Sequence, residues 1–248
     1  MSRFFLPNVL LLSASSLLSG AEQPGVSKSD KPSPPSQAAA PEKPAIKHLG
    51  GPDYELKGIS FNETTRSIII PVRVNMIQGL LEYALVHESG KAHESLLTTT
   101  ISPYDLNVVL LLLNYTPSST FFDFSDKAAG AMLVKNPKVE PKASLLVTLE
   151  WKGPDGKTNT ARLESLLLNI DQKANAKEGP FTYTGSMVME DGAFLAKATG
   201  SILALYADPA ALINNPRKGN DNDDAWIADK TKVPAKDTEI TLKLTPAK

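Results

Sequence analysis

The chain has 248 residues, of which 42% are hydrophobic, with 26 basic and 27 acidic side chains and a formal net charge of −1. This balance provides no field that would recruit nucleic acid or anionic lipid, so we expect no nucleic-acid partner. The chain has no cysteine, which excludes disulfides, thiol nucleophiles and iron–sulfur clusters held by cysteine ligands.

The N-terminal segment has the pattern of a signal peptide. Arg3 supplies a positive charge, residues 4–18 form an interrupted apolar stretch, and Ser19-Gly20-Ala21 provides small residues for cleavage. The stretch is shorter than the about 20 apolar residues that span a membrane. We predict a signal peptide over residues 1–21, an exported protein that is periplasmic or extracellular, and no membrane span after cleavage. An uncleaved anchor is the alternative.

Residues 22–51 are rich in proline and in small or polar residues, and hold almost no large apolar side chain. Such a segment cannot offset the entropy of ordering by burial. We therefore predict a disordered, Pro-rich linker over residues 22–51, followed by a single domain over residues 52–248.

Alternating apolar and polar residues, separated by turn residues, predict antiparallel hairpins along this domain. The predicted pairs are 54–60 with 67–74, 79–87 with 92–100, 145–152 with 158–170, and 181–190 with 193–197. Further strands are predicted at 201–206 and 238–244.

One helix is marked at both ends, and Tyr115 and Pro117 mark where it stops. Ser102 is a suitable N-cap, Pro103 suits the first helical position, and the run over 106–113 has one polar residue, Asn107. A helix that is apolar on every side is expected to be buried. The predicted fold is α+β, with mainly antiparallel β hairpins forming a curved sheet or sandwich packed on one buried apolar helix at about 103–114.

The segment His87–Ser95 concentrates polar chemistry around a Ser89-Gly90 turn and holds two of the chain's three histidines. The candidate functional cluster in this segment is His87, Glu88, Lys91, His93, Glu94 and Ser95. If Gly90 forms a bulge after a type I turn, His87 and His93 share one face of the hairpin. A two-residue turn places them on opposite faces. The sequence leaves both registers open.

Imidazole and carboxylate side chains together suit zinc, so His87, His93 and Glu94 are candidate metal ligands, with a further donor from Glu88, Glu82 or a distant strand. The alternative is structural: His93 and Glu94 bind backbone at the start of a buried strand, and Lys91 pairs with Glu88. The two histidines lie six residues apart across a glycine, which is not the spacing of the helical zinc-protease motif.

Other polar or aromatic groups favour structural roles. Ser95 and Ser186 lack the strand–turn–helix context of a nucleophile, so no catalytic residue is predicted. The acidic run 220–224 lacks the glycine and glutamate of a calcium loop, which favours a solvated loop. The aromatic residues Trp151, Trp226, Tyr183 and Phe194 could stack on a ligand, but their strand context favours a place in the core or at its rim.

Several segments carry a family resemblance. These are Gly79-Leu80-Leu81-Glu82-Tyr83, the run 90–97 with the helix after it, Phe181-Thr182-Tyr183-Thr184-Gly185-Ser186, the run 192–205, and Asp208-Pro209. Together they resemble the YdjY-domain proteins. The resemblance implies an exported bacterial protein of uncharacterised role. The chain departs from the family pattern at Phe181, where tryptophan is common, and at Lys197, where an acidic residue is common. Ferredoxin-like labels carried by some members do not suit a cysteine-free chain.

These observations predict an exported, non-catalytic binding or interaction module, whose partner is an unknown protein or small ligand of the cell envelope. The alternative is a zinc-type metal-binding protein, or a metal-dependent enzyme, centred on His87 and His93. No other cofactor is expected.

Overall fold

A closed eight-stranded β-barrel forms the body of the protein in a computed structural model, which describes residues 46–126 and 130–247. The strands are β1 (Lys47–Gly50), β2 (Asp53–Leu56), β3 (Ile59–Asn62), β4 (Ser67–Val74), β5 (Tyr83–His87), β6 (Ser95–Thr99), β7 (Phe122–Asp123), β8 (Met132–Leu133), β9 (Ser144–Lys152), β10 (Thr158–Arg162), β11 (Leu167–Asn169), β12 (Ala174–Asn175), β13 (Phe181–Tyr183), β14 (Ser201–Ala204), β15 (Ile213–Asn214), β16 (Trp226–Ala228) and β17 (Glu239–Pro246). The helices are α1 (Pro103–Leu112) and α2 (Leu195–Thr199), with 3-10 turns at Ala92–Glu94, Pro141–Ala143 and Leu163–Leu166.

The barrel runs in the order β4, β17, β9, β13, β15, β14, β5 and β6, and β6 pairs back onto β4. The pairs β14–β15 and β5–β6 are parallel, and the other neighbours are antiparallel. Strands β3, β2 and β1 extend the sheet outward from β4, and β10 extends it from β9. Closure leaves no free edge within the ring of eight strands.

Alternating side chains fill the barrel. On β4, Ile68, Ile70 and Val72 are buried while Pro71 and Arg73 are exposed. On β17, residues 240, 242 and 244 are buried in the same way. Eight strands enclose a space that side chains alone can fill, so the hydrophobic core lies inside the ring.

The predicted α+β fold, a curved sheet or sandwich packed on a helix, is therefore wrong. The structure is mostly β, with 38% strand and 13% helix. The hairpin patterns indicated the strands, but they held no information on the β4–β6 pairing that closes the sheet, because that contact joins strands that are not neighbours in the chain.

Helix α1 is not the central packing element that its composition predicted. Leu106, Val109 and Leu110 join the hydrophobic core, but Leu111 and Leu112 are 51% and 48% exposed. The barrel strands already fill the interior, so the helix covers the core from one side only. Its start matches the prediction, with Pro103 in the first turn, although the Ser102 side chain makes no capping hydrogen bond.

The hairpin predictions had mixed outcomes. The pair β3–β4 and the final strand β17 are confirmed. The predicted pairing of 145–152 with 158–170 is confirmed only over 158–162, because Leu163–Leu166 forms a 3-10 turn and β11 pairs with β16 instead. The predicted strand 54–60 is broken by a turn at Lys57 and Gly58, which have φ values of 48° and 85°. The predicted strand 193–197 is wrong, because residues 195–199 form α2, which ends at Gly200 with a φ of 76°.

At the N-terminal side, strand β1 pairs with β2, so ordered structure begins inside the segment predicted as a linker. The predicted signal peptide and the rest of that linker, residues 1–45, lie outside the described residues. Within residues 46–126 and 130–247, no helix is long and apolar enough to cross a membrane.

Candidate functional site

The segment His87–Ser95 is not a hairpin turn. Strands β5 and β6 are parallel neighbours, with Tyr83 opposite Ser95 and His87 opposite Thr99. The connection therefore carries the chain back along the whole length of β5. Both turn registers considered from the sequence are wrong, because each assumed antiparallel strands.

The return of the chain brings Lys91 to the start of β5 instead of its end. The Lys91 ammonium lies 3.4 Å from Glu94 and 3.9 Å from Glu82, and it donates a 3.0 Å hydrogen bond to the Tyr83 hydroxyl. That hydroxyl in turn donates to Asp208 at 2.8 Å. We call these five residues the Lys91 cluster. The predicted pairing of Lys91 with Glu88 is replaced by pairing with Glu82 and Glu94.

The pKa shifts in the Lys91 cluster favour protonated groups. Burial and the Asp208 carboxylate raise the pKa of Tyr83 to about 12, against a lowering effect of Lys91. Burial lowers the pKa of Lys91, but its bond to Tyr83 and the nearby Glu94 and Glu82 outweigh burial and raise it. Near neutral pH the amine is charged and the phenol is neutral, so neither group is poised to act as a base.

The other residues of the predicted cluster lie in different surroundings and do not form one site. The side chain of His93 is 79% exposed, with Nε2 3.7 Å from a Glu94 oxygen. His87 Nδ1 lies 2.7 Å from the Ser89 hydroxyl. Ser95 is buried and donates to the Leu97 carbonyl. Glu88 lines a groove on another part of the barrel surface.

Within the part of the chain that the structure describes, no group of three or more His, Asp or Glu side chains is arranged to hold a metal ion. Among the three predicted zinc ligands, His93 and Glu94 are in contact with each other, with Nε2 3.7 Å from the carboxylate oxygen. A zinc site at His87, His93 and Glu94 stays a prediction.

An open groove of about 640 Å³ crosses strands β6, β4, β17 and β9. The register of these strands fixes its layout. Arg73 lies opposite Thr98 on β6 and opposite Glu239 on β17, and Thr241 lies opposite Glu150 on β9. Directly opposed residues lie about 5 Å apart at Cβ, so these side chains share one continuous polar surface.

Four of the five charged side chains that line this groove are unpaired, while Lys152 donates a 2.6 Å hydrogen bond to the Thr158 hydroxyl. Among the described residues, Arg73, Glu88, Glu150 and Glu239 have no side-chain hydrogen bond and no ion pair, and all four are exposed. Their hydrogen-bonding capacity is available to a ligand. Except for Glu88, sequence reasoning missed these residues. The alternation of apolar and polar residues along each strand indicates which side chains point outward. It does not indicate which strands lie side by side.

The four aromatic residues considered as a stacking set do not come together. Trp226 and Tyr183 are buried, and Tyr183 donates a hydrogen bond to Asn107 of α1. Phe194 packs edge-to-face with Tyr104. Trp151 alone, half-buried at the end of β9, lines the groove. The prediction of core or rim positions is confirmed for Trp226, Tyr183 and Trp151.

A buried ion-pair cluster was also missed. Glu164 is fully buried, and its Oε1 accepts a 2.7 Å bond from Arg162 and lies 3.7 Å from Arg217. Arg217 stacks over Phe181 at 4.3 Å, and burial lowers its pKa to about 10. Because Arg217 also donates to the Gly179 and Lys177 carbonyls, the cluster fixes loops to the barrel and is structural.

A family model of the YdjY domain matches residues 59–245. The match covers the whole barrel, so the chain belongs to the YdjY-domain family, as the motif resemblance implied. No curated protein and no solved structure matches the chain.

Proposed function

We propose that the protein is an exported, non-catalytic binding module of the cell envelope, and that its ligand occupies the groove over strands β6, β4, β17 and β9. The N-terminal pattern around Arg3 and Ser19-Gly20-Ala21 supports export to the periplasm or the exterior. The Pro-rich segment 22–45 supports a tether between the chain's N-terminus and the barrel.

One observation carries the binding function. The groove gathers exposed carboxylates and a guanidinium that have no partner among the described residues. Its volume of about 640 Å³ falls in the range of small-molecule sites, about 300–1,000 Å³. Convergent polar groups in a concave surface provide orientation and specificity for a ligand.

The test is an NMR titration of the isotope-labelled protein with fractionated cell-envelope extract. We expect one fraction to shift amides around Arg73, Thr98, Glu150 and Thr241 in a saturable manner. Shifts confined to other surfaces, or no saturable shift with any fraction, would contradict the proposal.

The second candidate, a zinc-type metal protein or a metal-dependent enzyme, is favoured only by the approach of His93 to Glu94. We expect protein purified without an affinity tag to hold well under one zinc per chain, with no change in His93→Ala. Elemental analysis measures the zinc content of both proteins. One zinc per chain that is lost in His93→Ala would establish the metal site.

A further inference from the structure

We propose that the free edge of strand β10 is an interaction surface, and that a second copy of this chain pairs with it strand to strand. The two β10 strands run antiparallel about a two-fold axis and join two barrels through one continuous sheet. The inference is independent of the proposed function, because it concerns the backbone edge of β10 and not the side chains of the groove.

Strand β10 has a partner on one side. Among the described residues it pairs with β9 alone, over Thr158–Arg162. The Gly153 amide donates to the Lys157 carbonyl at 2.8 Å, which sets the hydrogen-bonded positions of this ladder. The alternation of an antiparallel ladder then directs the backbone N–H and C=O groups of Thr158 and Thr160 away from β9. No described residue outside the β9–β10 pair forms a backbone hydrogen bond with these two threonines.

The exposed edge of β10 lacks the features that usually prevent strand pairing. Natural edge strands are protected by proline, by a bulge or by charged side chains. The β9–β10 register is regular, and residues 158–161 contain neither proline nor charge. Two of these four residues are threonines, which favour extended backbone. The outlying strand β1 differs, because its pairing with β2 shifts register between His48 and Gly50.

The strand is complementary to a second copy of itself. A two-fold axis at Thr160 places this residue opposite its own copy and places Thr158 opposite Arg162. Because the three residues are spaced two apart, all of them fall at hydrogen-bonded positions of the new ladder. A pair of threonines across two strands is favourable, and no like charges face each other. The Arg162 guanidinium is already paired with Glu164 at 2.7 Å, so it brings no unpaired charge to the interface.

The shared edge is short, which sets the strength of the contact. The five residues of β10 extend over about 17 Å. A strand pair of this length buries less than the about 1,600 Å² of a standard interface. The dimer is therefore weak and depends on protein concentration. Because Thr160 lies opposite Glu150 of β9, the outer sheet face that carries the groove continues across the new pair.

The experiment is sedimentation velocity of the full chain over a series of concentrations, with two charged variants at the axis. We expect the average mass of the parent to rise with concentration toward that of a dimer. Thr160→Lys and Thr160→Glu each place like charges opposite each other and should each stay monomeric, whereas an equal mixture of the two should dimerise. Thr241→Lys is the matched control and should dimerise like the parent, because Thr241 is exposed on β17 between two paired strands.

The cysteine-free chain allows a second measurement. Hydrogen-bonded residues across an antiparallel pair lie about 5.5 Å apart at Cα, a distance that a disulfide can span. Thr160→Cys should therefore give a disulfide-linked dimer under mild oxidation, and Thr241→Cys should not.

Each other outcome contradicts the proposal in a different way. A parent that is monomeric at every concentration, with no cross-link in Thr160→Cys, would show that β10 does not pair with its copy. A dimer that persists in both charged variants would place the contact at another surface. A mixture that stays monomeric would exclude the axis at Thr160. If the parent is monomeric but an unrelated extended peptide shifts the NMR signals of the Thr158 and Thr160 amides, the second copy is the wrong partner.

Discussion

At the scale of single residues, Gly90 lies where two backbone segments make close contact. A Cβ atom at Gly90 would lie 2.7 Å from the Thr199 carbonyl oxygen and 3.0 Å from the Gly200 Cα. Gly200 has a φ of 76° at the end of α2 and meets the same constraint, with its Cβ 2.8 Å from the Gly90 Cα. The glycine in the His87–Ser95 segment thus serves a backbone contact with α2 and not a hairpin turn.

We expect Gly90→Ala to lower the free energy of unfolding by about 1–3 kcal/mol, because backbone atoms cannot rotate away from the added methyl group. Urea denaturation measures the change. Glu88→Ala, at a nearby exposed position whose side chain makes no hydrogen bond or ion pair with a described residue, is the control and should change stability by less than about 0.5 kcal/mol. A Gly90→Ala protein as stable as the parent would show that the backbone at residue 90 can move away from Thr199 and Gly200 without loss of stability.

Glu82 in the Lys91 cluster gives a pH-dependent prediction. Burial and the charge of Glu94 raise its pKa above the ordinary value of 4.5, against a lowering effect of Lys91. The folded protein therefore holds this proton more tightly than the unfolded chain. The contribution of Glu82 to stability is greatest below pH 4.5 and declines as the pH rises through the raised folded pKa.

Glu82→Gln removes this titration. Relative to the parent, the variant should be more stable at pH 7 by roughly 0.5 kcal/mol, and the advantage should disappear below about pH 4. Denaturation series at several pH values measure the difference, with Glu63→Gln as the control. An advantage that is constant with pH, or that grows toward acid, would contradict the raised pKa.

At the scale of elements, α1 is held to the barrel by polar contacts as well as by its buried leucines. Tyr183 on β13 donates a 2.5 Å hydrogen bond to Asn107 of the helix, and burial raises the pKa of the phenol. Lys57 in the β2–β3 turn pairs with Asp105 at 3.3 Å. Asn107, the single polar residue of an otherwise apolar run, therefore fixes the position of the helix on the barrel.

Tyr183→Phe should cost about 1–2 kcal/mol, since it removes the hydrogen bond and leaves the Asn107 amide oxygen without its donor. Thermal unfolding measures the loss. Tyr104→Phe is the matched control, because the Tyr104 hydroxyl makes no hydrogen bond with a described residue and its side chain is exposed. Equal effects of the two changes would show that the Tyr183 bond does not position α1.

At the scale of the whole molecule, closure of the barrel depends on a short seam between β4 and β6. The backbone register pairs the two strands through Arg73 with Thr98 and Val74 with Leu97, and the Thr99 hydroxyl donates a further 2.7 Å bond to the Pro71 carbonyl. Asn75 extends the seam, because its side-chain amide donates to the Ala92 carbonyl at 2.6 Å and to the Ser95 carbonyl at 2.8 Å.

Asn75→Ala should therefore destabilise the seam before the rest of the barrel. We expect a loss of about 1–3 kcal/mol for two hydrogen bonds, and faster amide exchange at Asn75 and Val74 than at the β17 amides. Hydrogen exchange measures both regions at once. Asn159→Ala, on the exposed strand β10, is the control. Uniform acceleration over the whole barrel would indicate that the seam does not open separately.

The groove also belongs to this scale. Arg73, Glu150 and Glu239 lie on three strands that are far apart in sequence, and only the register of β4, β17 and β9 brings them onto one surface. Alternation along each strand predicts that these residues point outward, but no local pattern states which strands are adjacent.

Local sequence was enough to predict the strand patterns of β4, β9 and β17, the start of α1 at Pro103, the family resemblance and the exclusion of thiol chemistry. These properties follow from local periodicity, from turn and cap residues, and from composition. Three features became visible only in the folded chain: β5 and β6 run parallel, Lys91 contacts Tyr83 instead of Glu88, and β6 closes a barrel with β4. Those contacts depend on the pairing of distant strands, whose energies come from the complete core and are not encoded in any single segment.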